Sequence, residues 1–153
     1  MTTPEPSHNF LPVRRLRPQA VLPVRATSGS AGLDLHACMD TPLTLEPGCR
    51  VMIPTGLAAA IPQGVAGMIY ARSSLGTKYG IALSNGVGVV DSDYRGEICV
   101  GLCNFSNDPY TIQPGERVAQ LVLQPILCLP VQEVETLDDT DRGQGGFGST
   151  GRL

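Results

Sequence analysis

Residues 43–54 read LTLEPGCRVMIP, two short apolar segments on either side of a Glu-Pro-Gly turn. Proline presets one backbone angle of such a turn, and glycine accepts the left-handed conformation that often follows it. A second turn of this kind, Gln113-Pro114-Gly115, leads into the apolar stretch Arg117–Gln124. Each of the two stretches therefore predicts a strand, a turn and a second strand.

Short apolar segments, partly β-branched, continue along the chain as Val65–Ala71, Ile81–Ser84, Val87–Val90 and Ile98–Phe105. Asp91–Gly96, between the last two, is rich in turn-forming residues and predicts a hairpin. Only Ser73–Tyr79 is compatible with a helical turn. Eight or more short strands in one small chain predict an all-β, single-domain fold of the sandwich or jelly-roll class.

The composition fits one globular domain. The chain has 153 residues, of which 42% are hydrophobic and 16% are charged. A net charge of −3 and the absence of a basic stripe argue against a nucleic-acid surface. The apolar runs are too short to cross a bilayer, and no signal peptide is recognisable. We therefore expect a soluble, cytoplasmic protein without nucleic-acid or membrane partners.

The cysteines predict neither a disulfide framework nor a zinc site. Their number is odd, they form no Cys-x-x-Cys motif, and the chain has only two histidines. The expected state is that of buried thiols in a reducing compartment. The five residues are Cys38, Cys49, Cys99, Cys103 and Cys128.

The C-terminal end differs from the rest of the chain. Thr136–Leu153 is polar, and five glycines are crowded near its end. Such a composition predicts a segment that is mobile until something orders it. We expect a β-barrel domain over residues 1–137 and a flexible C-terminal segment over residues 138–153 that belongs to the same domain.

Five stretches carry polar residues that a plain β-domain does not need. The first, Ser30–Leu35 (SAGLDL), places Asp34 between two leucines. Asp34 either caps backbone amides of a turn or contacts Mg²⁺ through water, since Mg²⁺ keeps its waters and prefers phosphate oxygens. The second, Tyr70–Gly76 (YARSSLG), ends an apolar strand in one guanidinium and two hydroxyls. It predicts either an anion site or a helix N-cap beside a surface arginine.

The third stretch, Asn85–Glu97, reads NGVGVVDSDYRGE. Its glycines let the backbone approach a planar ligand, and a hairpin backbone offers donors and acceptors like those of a paired base. Asp91 is a candidate general base, because partial burial would raise its pKa toward neutrality. The alternative is a hairpin with a polar turn, and for Asp93 and Arg95 this alternative is favoured.

The last two stretches are less specific by themselves. In Arg117–Val122 (RVAQLV), Gln120 lies in an apolar strand, where a structural hydrogen bond is the common explanation. Asp141–Gly151 (DRGQGGFGSTG) has many glycines but lacks the Lys-Ser/Thr of a phosphate-binding P-loop. A disordered tail is the alternative, although one Phe among the glycines is unusual for a linker.

Taken together and in this order, the five stretches resemble the five motifs of the trimeric dUTP diphosphatase (dUTPase) family. The resemblance runs from about Ala31 to Gly151, and GVVDSDYRG with RGQGGFGSTG makes it specific. It implies a dUTPase-type, jelly-roll-like β-barrel and a homotrimer with shared active sites. It also implies Mg²⁺-dependent hydrolysis of dUTP to dUMP and pyrophosphate, which limits uracil in DNA and supplies dUMP for thymidylate synthesis.

The resemblance assigns roles to single residues. Asp91 would activate the water that attacks the α-phosphorus, and Gln120 would position that water and the α-phosphate. Asp34 would hold Mg²⁺-bound waters. The phosphate-binding residues would be Arg72, Ser73 and Ser74, completed on the γ-phosphate by Arg142, Ser149 and Thr150.

The same resemblance implies how base and sugar are selected. Asn85, with backbone groups of Gly88, Val89, Val90 and Cys99, would bind the uracil edge. Tyr94 would lie under the deoxyribose and exclude a 2′-hydroxyl. Phe147 would stack on uracil when the C-terminal segment closes as a lid.

Two alternatives remain at this stage. dCTP deaminases share the fold, but in that family the central strand ends in a turn of the Asp-Pro-Gly-Phe type. This chain has Asp91-Ser92-Asp93-Tyr94 at that place. A catalytically silent nucleotide-binding protein would be expected to lack Asp91, Gln120 or the C-terminal motif. Release of pyrophosphate from dUTP, dCTP and dTTP distinguishes all three.

Overall fold

The structure, a computed structural model, describes residues 9–146. In this range eleven strands and one short helix follow each other. The elements are β1 (Val13–Arg15), β2 (Leu33–His36), β3 (Leu43–Leu45), β4 (Arg50–Pro54), β5 (Leu57–Ala59), β6 (Val65–Tyr70), α1 (Ser73–Tyr79), β7 (Ile81–Leu83), β8 (Gly88–Val90), β9 (Cys99–Asn104), β10 (Tyr110–Ile112) and β11 (Arg117–Pro125).

The strands form four small antiparallel sheets around one core. The largest has the order β2-β11-β6-β8, the next β4-β9-β7, and β1-β5 and β10-β3 are pairs. Side chains from all four sheets fill the core, among them Leu35, Ile53, Leu57, Leu121 and Ile112. The prediction of an all-β fold is confirmed.

The two Pro-Gly turns form where the sequence predicts them. Gly48 has φ 73° and Gly115 has φ 76°, the left-handed conformation that glycine adopts without a steric penalty. Each turn lies between strands of different sheets: β3 pairs with β10 and β4 with β9, while β11 pairs with β2 and β6. The turns therefore carry the chain from one sheet to another.

The predicted hairpin over Asp91–Gly96 is wrong. β8 pairs with β6, whereas β9 pairs with β4 and β7, so the strands on either side of the turn lie in different sheets. The turn itself forms, with the Tyr94 amide donating to the Asp91 carbonyl at 3.2 Å. The residues up to Ile98 then cross to the other sheet, where the Glu97 carboxylate accepts from the Gly56 amide at 2.8 Å.

The predicted helical turn over Ser73–Tyr79 is confirmed as α1. It ends at Gly80, which has φ 67° and donates its N–H to the Gly76 carbonyl. A Cβ at Gly80 would lie 2.9 Å from Ser106, so both conformation and space require glycine there. No helix among residues 9–146 is long and apolar enough to cross a membrane.

Regular strand structure ends at Pro125, before the boundary at residue 137 that the sequence predicts. Residues 126–137, the C-terminal extension, contain no strand or helix. Its apolar side chains are exposed, with Leu127 at 86% and Val131 at 101% of their full accessible area. A row of exposed apolar side chains is typical of an interaction surface.

Asn104, which is fully buried, ties β9 to two neighbouring segments. Its Nδ2 donates to the Leu45 carbonyl at 2.9 Å and to the Asp108 carbonyl at 2.8 Å. Its Oδ1 accepts from the amide and the hydroxyl of Ser106. Each of these groups loses a partner when the side-chain amide is removed.

We therefore predict that Asn104→Ala lowers the apparent free energy of unfolding by about 2–4 kcal/mol. Urea unfolding at one fixed protein concentration measures it. The matched control is Thr111→Val, which removes an exposed hydroxyl contact with Thr44 and should cost less than about 0.5 kcal/mol. Equal losses in the two variants would contradict the role of Asn104.

Candidate functional site

The polar residues of the sheet β2-β11-β6-β8 lie on its outer face. β11 pairs with strands on both sides, and Gln120 lies opposite Asp34 of β2 and Tyr70 of β6. Directly paired residues point to the same face, so these three side chains share one face. The neighbouring Leu121 points inward and is 1% exposed.

Asp34 lies between two guanidinium groups. Its Oδ1 is 3.1 Å from Nε of Arg72, and its Oδ2 accepts from Nη1 of Arg117 at 3.1 Å. The Asp34 side chain is only 12% exposed, so this pairing compensates a largely desolvated carboxylate. The ion pair also holds Arg72 at the end of β6, beside the two serines.

Sequence reasoning gave Arg117 no role, although it stands in the same stretch as Gln120. A register shift between Arg117 and Ala119 interrupts the alternation along β11. The two-residue alternation of a regular strand, counted back from Gln120, therefore does not tell which face of the sheet Arg117 lies on. No local sequence signal reveals that it reaches Asp34.

His36, two residues after Asp34, remains neutral near pH 7. Burial is the main cause that lowers its pKa from 6.5; the guanidiniums of Arg117 and Arg72 add to this, and the Asp34 carboxylate opposes it. Its Nδ1 is buried without a hydrogen-bond partner among the described residues. The charges around Asp34 are therefore those of the two arginines.

The Gln120 side chain is held by a structural hydrogen bond and lies on the same face of the sheet as Asp34. Its Nε2 donates to the Ala71 carbonyl at 3.0 Å, the kind of bond that the sequence led us to expect. An amide nitrogen has two hydrogens, so the second N–H of Gln120 can still donate to a ligand.

Ser73 and Ser74 are exposed at the first turn of α1. The N-cap of this helix is Arg72, and no side chain caps it, so the alternative that a serine serves as the cap is wrong. Ser74 and Arg72 line a cavity of about 390 Å³ together with Lys78 and Arg117. The Glu116 carboxylate, which accepts from the Tyr110 hydroxyl, lies in the same wall. The three cations outnumber it, so an anion could occupy this space.

A second pocket, of about 430 Å³, lies at the other end of the sheet. Seven of the residues predicted from the sequence line it: Asn85, Gly88, Val89, Val90, Asp91, Tyr94 and Cys99. Met52, Ile69, Glu97 and Ile98 complete the wall. Peptide groups and apolar side chains around such a volume suit a flat ligand with polar edges.

Two features of this pocket concern Tyr94 and Asp91. The Tyr94 hydroxyl donates to the Glu97 carbonyl at 2.9 Å, which fixes the ring against the turn. Asp91 is exposed, so the partial burial that the sequence led us to expect is absent in the single chain. Arg95 donates to the Ser92 and Tyr94 carbonyls, which fits the structural role favoured for it.

The two groups of residues lie far apart within one chain. Val90 pairs with Gly67, so Asp91 lies level with Ala66 of β6. From Ala66 to Arg72 the chain makes six steps of about 3.3 Å each, about 20 Å in all. Gln120 is also separated from Asp91 by the whole width of β6, since β11 and β8 flank that strand on opposite sides.

The remaining predicted residues belong to the C-terminal segment. Arg142 is exposed, and its Nε donates to the Gly145 carbonyl at 2.8 Å. Phe147, Ser149 and Thr150 lie outside the described residues. Neither the lid nor the boundary between residues 137 and 138 is tested by these contacts, and both stay predictions.

The fold and the two surfaces define a small β-domain suited to a ligand that joins a flat polar group to an anionic one. The dUTPase family model matches residues 19–151. The deoxyuridine 5′-triphosphate nucleotidohydrolase of Desulfitobacterium hafniense (strain DSM 10664 / DCB-2) is 53% identical over 131 residues, 85% of this chain and 87% of the relative. That of Shigella flexneri serotype 5b (strain 8401) is 50% identical over 139 residues, 90% and 92% of the two chains.

Solved structures agree. The Staphylococcus bacteriophage 80alpha dUTPase with dUpNHpp, a point mutant, matches with a TM-score of 0.82 and 26% identity over 94% of this chain and 99% of that chain. A point mutant of the dUTPase from phage phi11 of S. aureus, described as coordinating a structural Mg(II) ion, matches with a TM-score of 0.76 and 26% identity over 84% and 98%. The chain belongs to the dUTPase family and is an enzyme, a dUTP diphosphatase.

Cys99 allows a direct test of the pocket. Burial is the main cause that raises the pKa of its thiol above 9.0; the Glu97 carboxylate adds to this, and Arg17 opposes it. The thiolate is the reactive form, so Cys99 should react slowly at pH 8 and faster only as the pH rises above 9.0.

We predict that iodoacetamide at pH 8 modifies the exposed Cys49 well before Cys99. Peptide mass spectrometry at several times and pH values measures both rates in one sample. A Cys99→Ser variant identifies the peptide. Alkylation of Cys99 at pH 8 as fast as that of Cys49 would show that its thiol is not shielded in this way.

Proposed function

We propose that this chain hydrolyses dUTP to dUMP and pyrophosphate by attack of a water molecule, activated by Asp91, on the α-phosphorus. The observation that carries the proposal is the pocket at β8, where Asn85, Asp91 and Tyr94 lie together. Asn85 and the backbone of Gly88–Val90 would bind the uracil edge. Tyr94 would lie under the deoxyribose.

The reaction needs one base and one positioned water. Asp91 accepts a proton from the water as its oxygen bonds to the α-phosphorus. The bond from that phosphorus to the bridging oxygen breaks, and pyrophosphate leaves. A general base must lie within about 2.6–3.2 Å of the water, or reach it through one other water. Gln120 would hold the same water and an α-phosphate oxygen through its second N–H.

The group around Asp34 would bind the triphosphate. Arg72 binds Asp34 in the described chain, and a phosphate oxygen would compete for the same guanidinium. Arg117 would then keep the Asp34 carboxylate paired while Arg72 binds phosphate, with Ser73 and Ser74 donating beside it. Arg142, Ser149 and Thr150 would add contacts to the γ-phosphate from the C-terminal segment, and Phe147 would stack on uracil.

Mg²⁺ fits these residues in one way. Asp34 is a single carboxylate, and between residues 9 and 146 no three His, Cys, Asp or Glu side chains lie close enough together to hold a metal. Mg²⁺ often keeps several waters and binds mainly substrate phosphates, which requires no such cluster. Asp34 would hold the ion through water, and the bound ion would neutralise charge on the phosphates.

The separation of the two groups supports a homotrimer with shared sites. Asp91 and Arg72 cannot act on one triphosphate when they lie about 20 Å apart along a strand. Cyclic assembly of three chains would place the pocket of one chain beside the Asp34 group of the next. The exposed apolar residues of the C-terminal extension offer a surface for such an assembly. The product would supply dUMP for thymidylate synthesis, and loss of dUTP would limit uracil in DNA.

The general-base role predicts that Asp91→Asn lowers kcat about 10²–10⁴-fold while dUpNHpp still binds. The amide keeps the size of the carboxylate but cannot accept the proton. Pyrophosphate release with dUTP measures kcat, and calorimetry measures binding. Asp93→Asn, on the same turn, is the matched control and should keep near-normal turnover. If Asp91→Asn turned over normally, another group would have to be the base.

The shared site predicts complementation between two inactive chains. One chain carries Asp91→Asn and the other Gln120→Ala, and they are refolded together in equal amounts. A site that takes each residue from a different chain is intact in about a quarter of random combinations, so about a quarter of wild-type turnover should return. Mass spectrometry verifies that mixed assemblies form. Mixed assemblies as inactive as their parents would exclude the shared site.

A further inference from the structure

Gly32 stands beside Gln120 on the outer face of the sheet. Gln120 lies opposite Asp34, and Gly32 lies two residues before Asp34, so it is the diagonal neighbour of Gln120 on the same face. A Cβ at Gly32 would lie 2.3 Å from Oε1, 3.0 Å from Cβ and 3.1 Å from Cδ of Gln120. The Gln120 side chain therefore occupies the space that any larger residue at position 32 would need.

The backbone does not explain this glycine. Gly32 is absent from the described glycines with positive φ, so alanine could adopt its conformation. Gly56 and Gly80 differ, since both have positive φ as well as close neighbours. The three heavy atoms nearest to a Cβ added at Gly32 all belong to Gln120. What glycine provides here is room for one particular side chain.

We infer that Gly32 is a positioning residue, which fixes the amide of Gln120 for its role in hydrolysis. The amide is held by one hydrogen bond, in which Nε2 donates to the Ala71 carbonyl at 3.0 Å, and glycine at position 32 leaves free the space that Oε1 occupies. The hydrogen bond and this free space together set which way the second N–H of Gln120 points. The inference rests on the proposed role of Gln120.

A methyl group at position 32 should disturb function more than stability. The atom nearest to the added Cβ is Oε1, the far end of a flexible side chain, which can rotate away, whereas the Gln120 Cβ at 3.0 Å would have to shift by a few tenths of an ångström. That rotation removes the amide from the Ala71 carbonyl and from the reacting water. A misplacement of about 1 Å in an active site can lower the rate about 100-fold.

The test is a double-mutant cycle with Gly32→Ala and Gln120→Ala. Gly32→Ala alone should lower kcat about 10–100-fold and shift the thermal midpoint by less than about 4 °C. In the Gln120→Ala background, Gly32→Ala should cause no further loss of kcat. Gly29→Ala is the matched control, because Gly29 lies in the same loop with ordinary φ and nothing within 4 Å of an added Cβ.

The outcomes separate this inference from the proposed function. If Gln120→Ala keeps full turnover, the proposed role of Gln120 fails and the role of Gly32 fails with it. If Gln120→Ala loses turnover but Gly32→Ala does not, or loses the same factor in both backgrounds, only the role of Gly32 is overturned. If Gly32→Ala does not fold alone, Gln120→Ala should restore its thermal midpoint, and failure to do so overturns the inference.

Discussion

The pairing of β11 with β2 on one side and with β6 on the other determines where the polar groups of this protein lie. It sets Gln120 level with Asp34 and Tyr70 on the outer face, while Leu121 fills the core. A slip of one residue would reverse both faces, burying the amide and exposing the leucine. The apolar alternation of β11 therefore holds the register, and the register positions Gln120 beside Asp34 on the outer face.

Much of the fold follows from local sequence signals, but its sheet arrangement does not. The Pro-Gly turns and α1 appear where the turn residues and apolar segments predict them. The predicted hairpin over Asp91–Gly96 is wrong because turn-forming residues indicate that the chain changes direction there. They do not indicate which strand the following segment pairs with. Pairing depends on contacts between distant segments, such as β9 with β4, which a single sequence does not reveal.

The family resemblance names residues that the structure brings together in part, but it does not give their geometry. The family resemblance names Asn85, Asp91 and Tyr94, and they line one pocket. It does not indicate that Asp34 is paired with Arg117, because a register shift in β11 brings that arginine into reach. Nor does it show that Gly32 leaves room for the Gln120 amide, since the two residues lie far apart in the sequence, one in a loop and the other in β11.

Each half of the proposed site is ordered within its own chain. Before any ligand binds, Arg72 is paired with Asp34, and the Glu97 carbonyl accepts from the Tyr94 hydroxyl. Groups that are already held lose little conformational freedom when a ligand or a second chain arrives. Assembly then brings together two surfaces on which the Arg72 and Tyr94 side chains are already held. If the shared site proposed above holds, association of chains, rather than folding, is the step that creates the active enzyme.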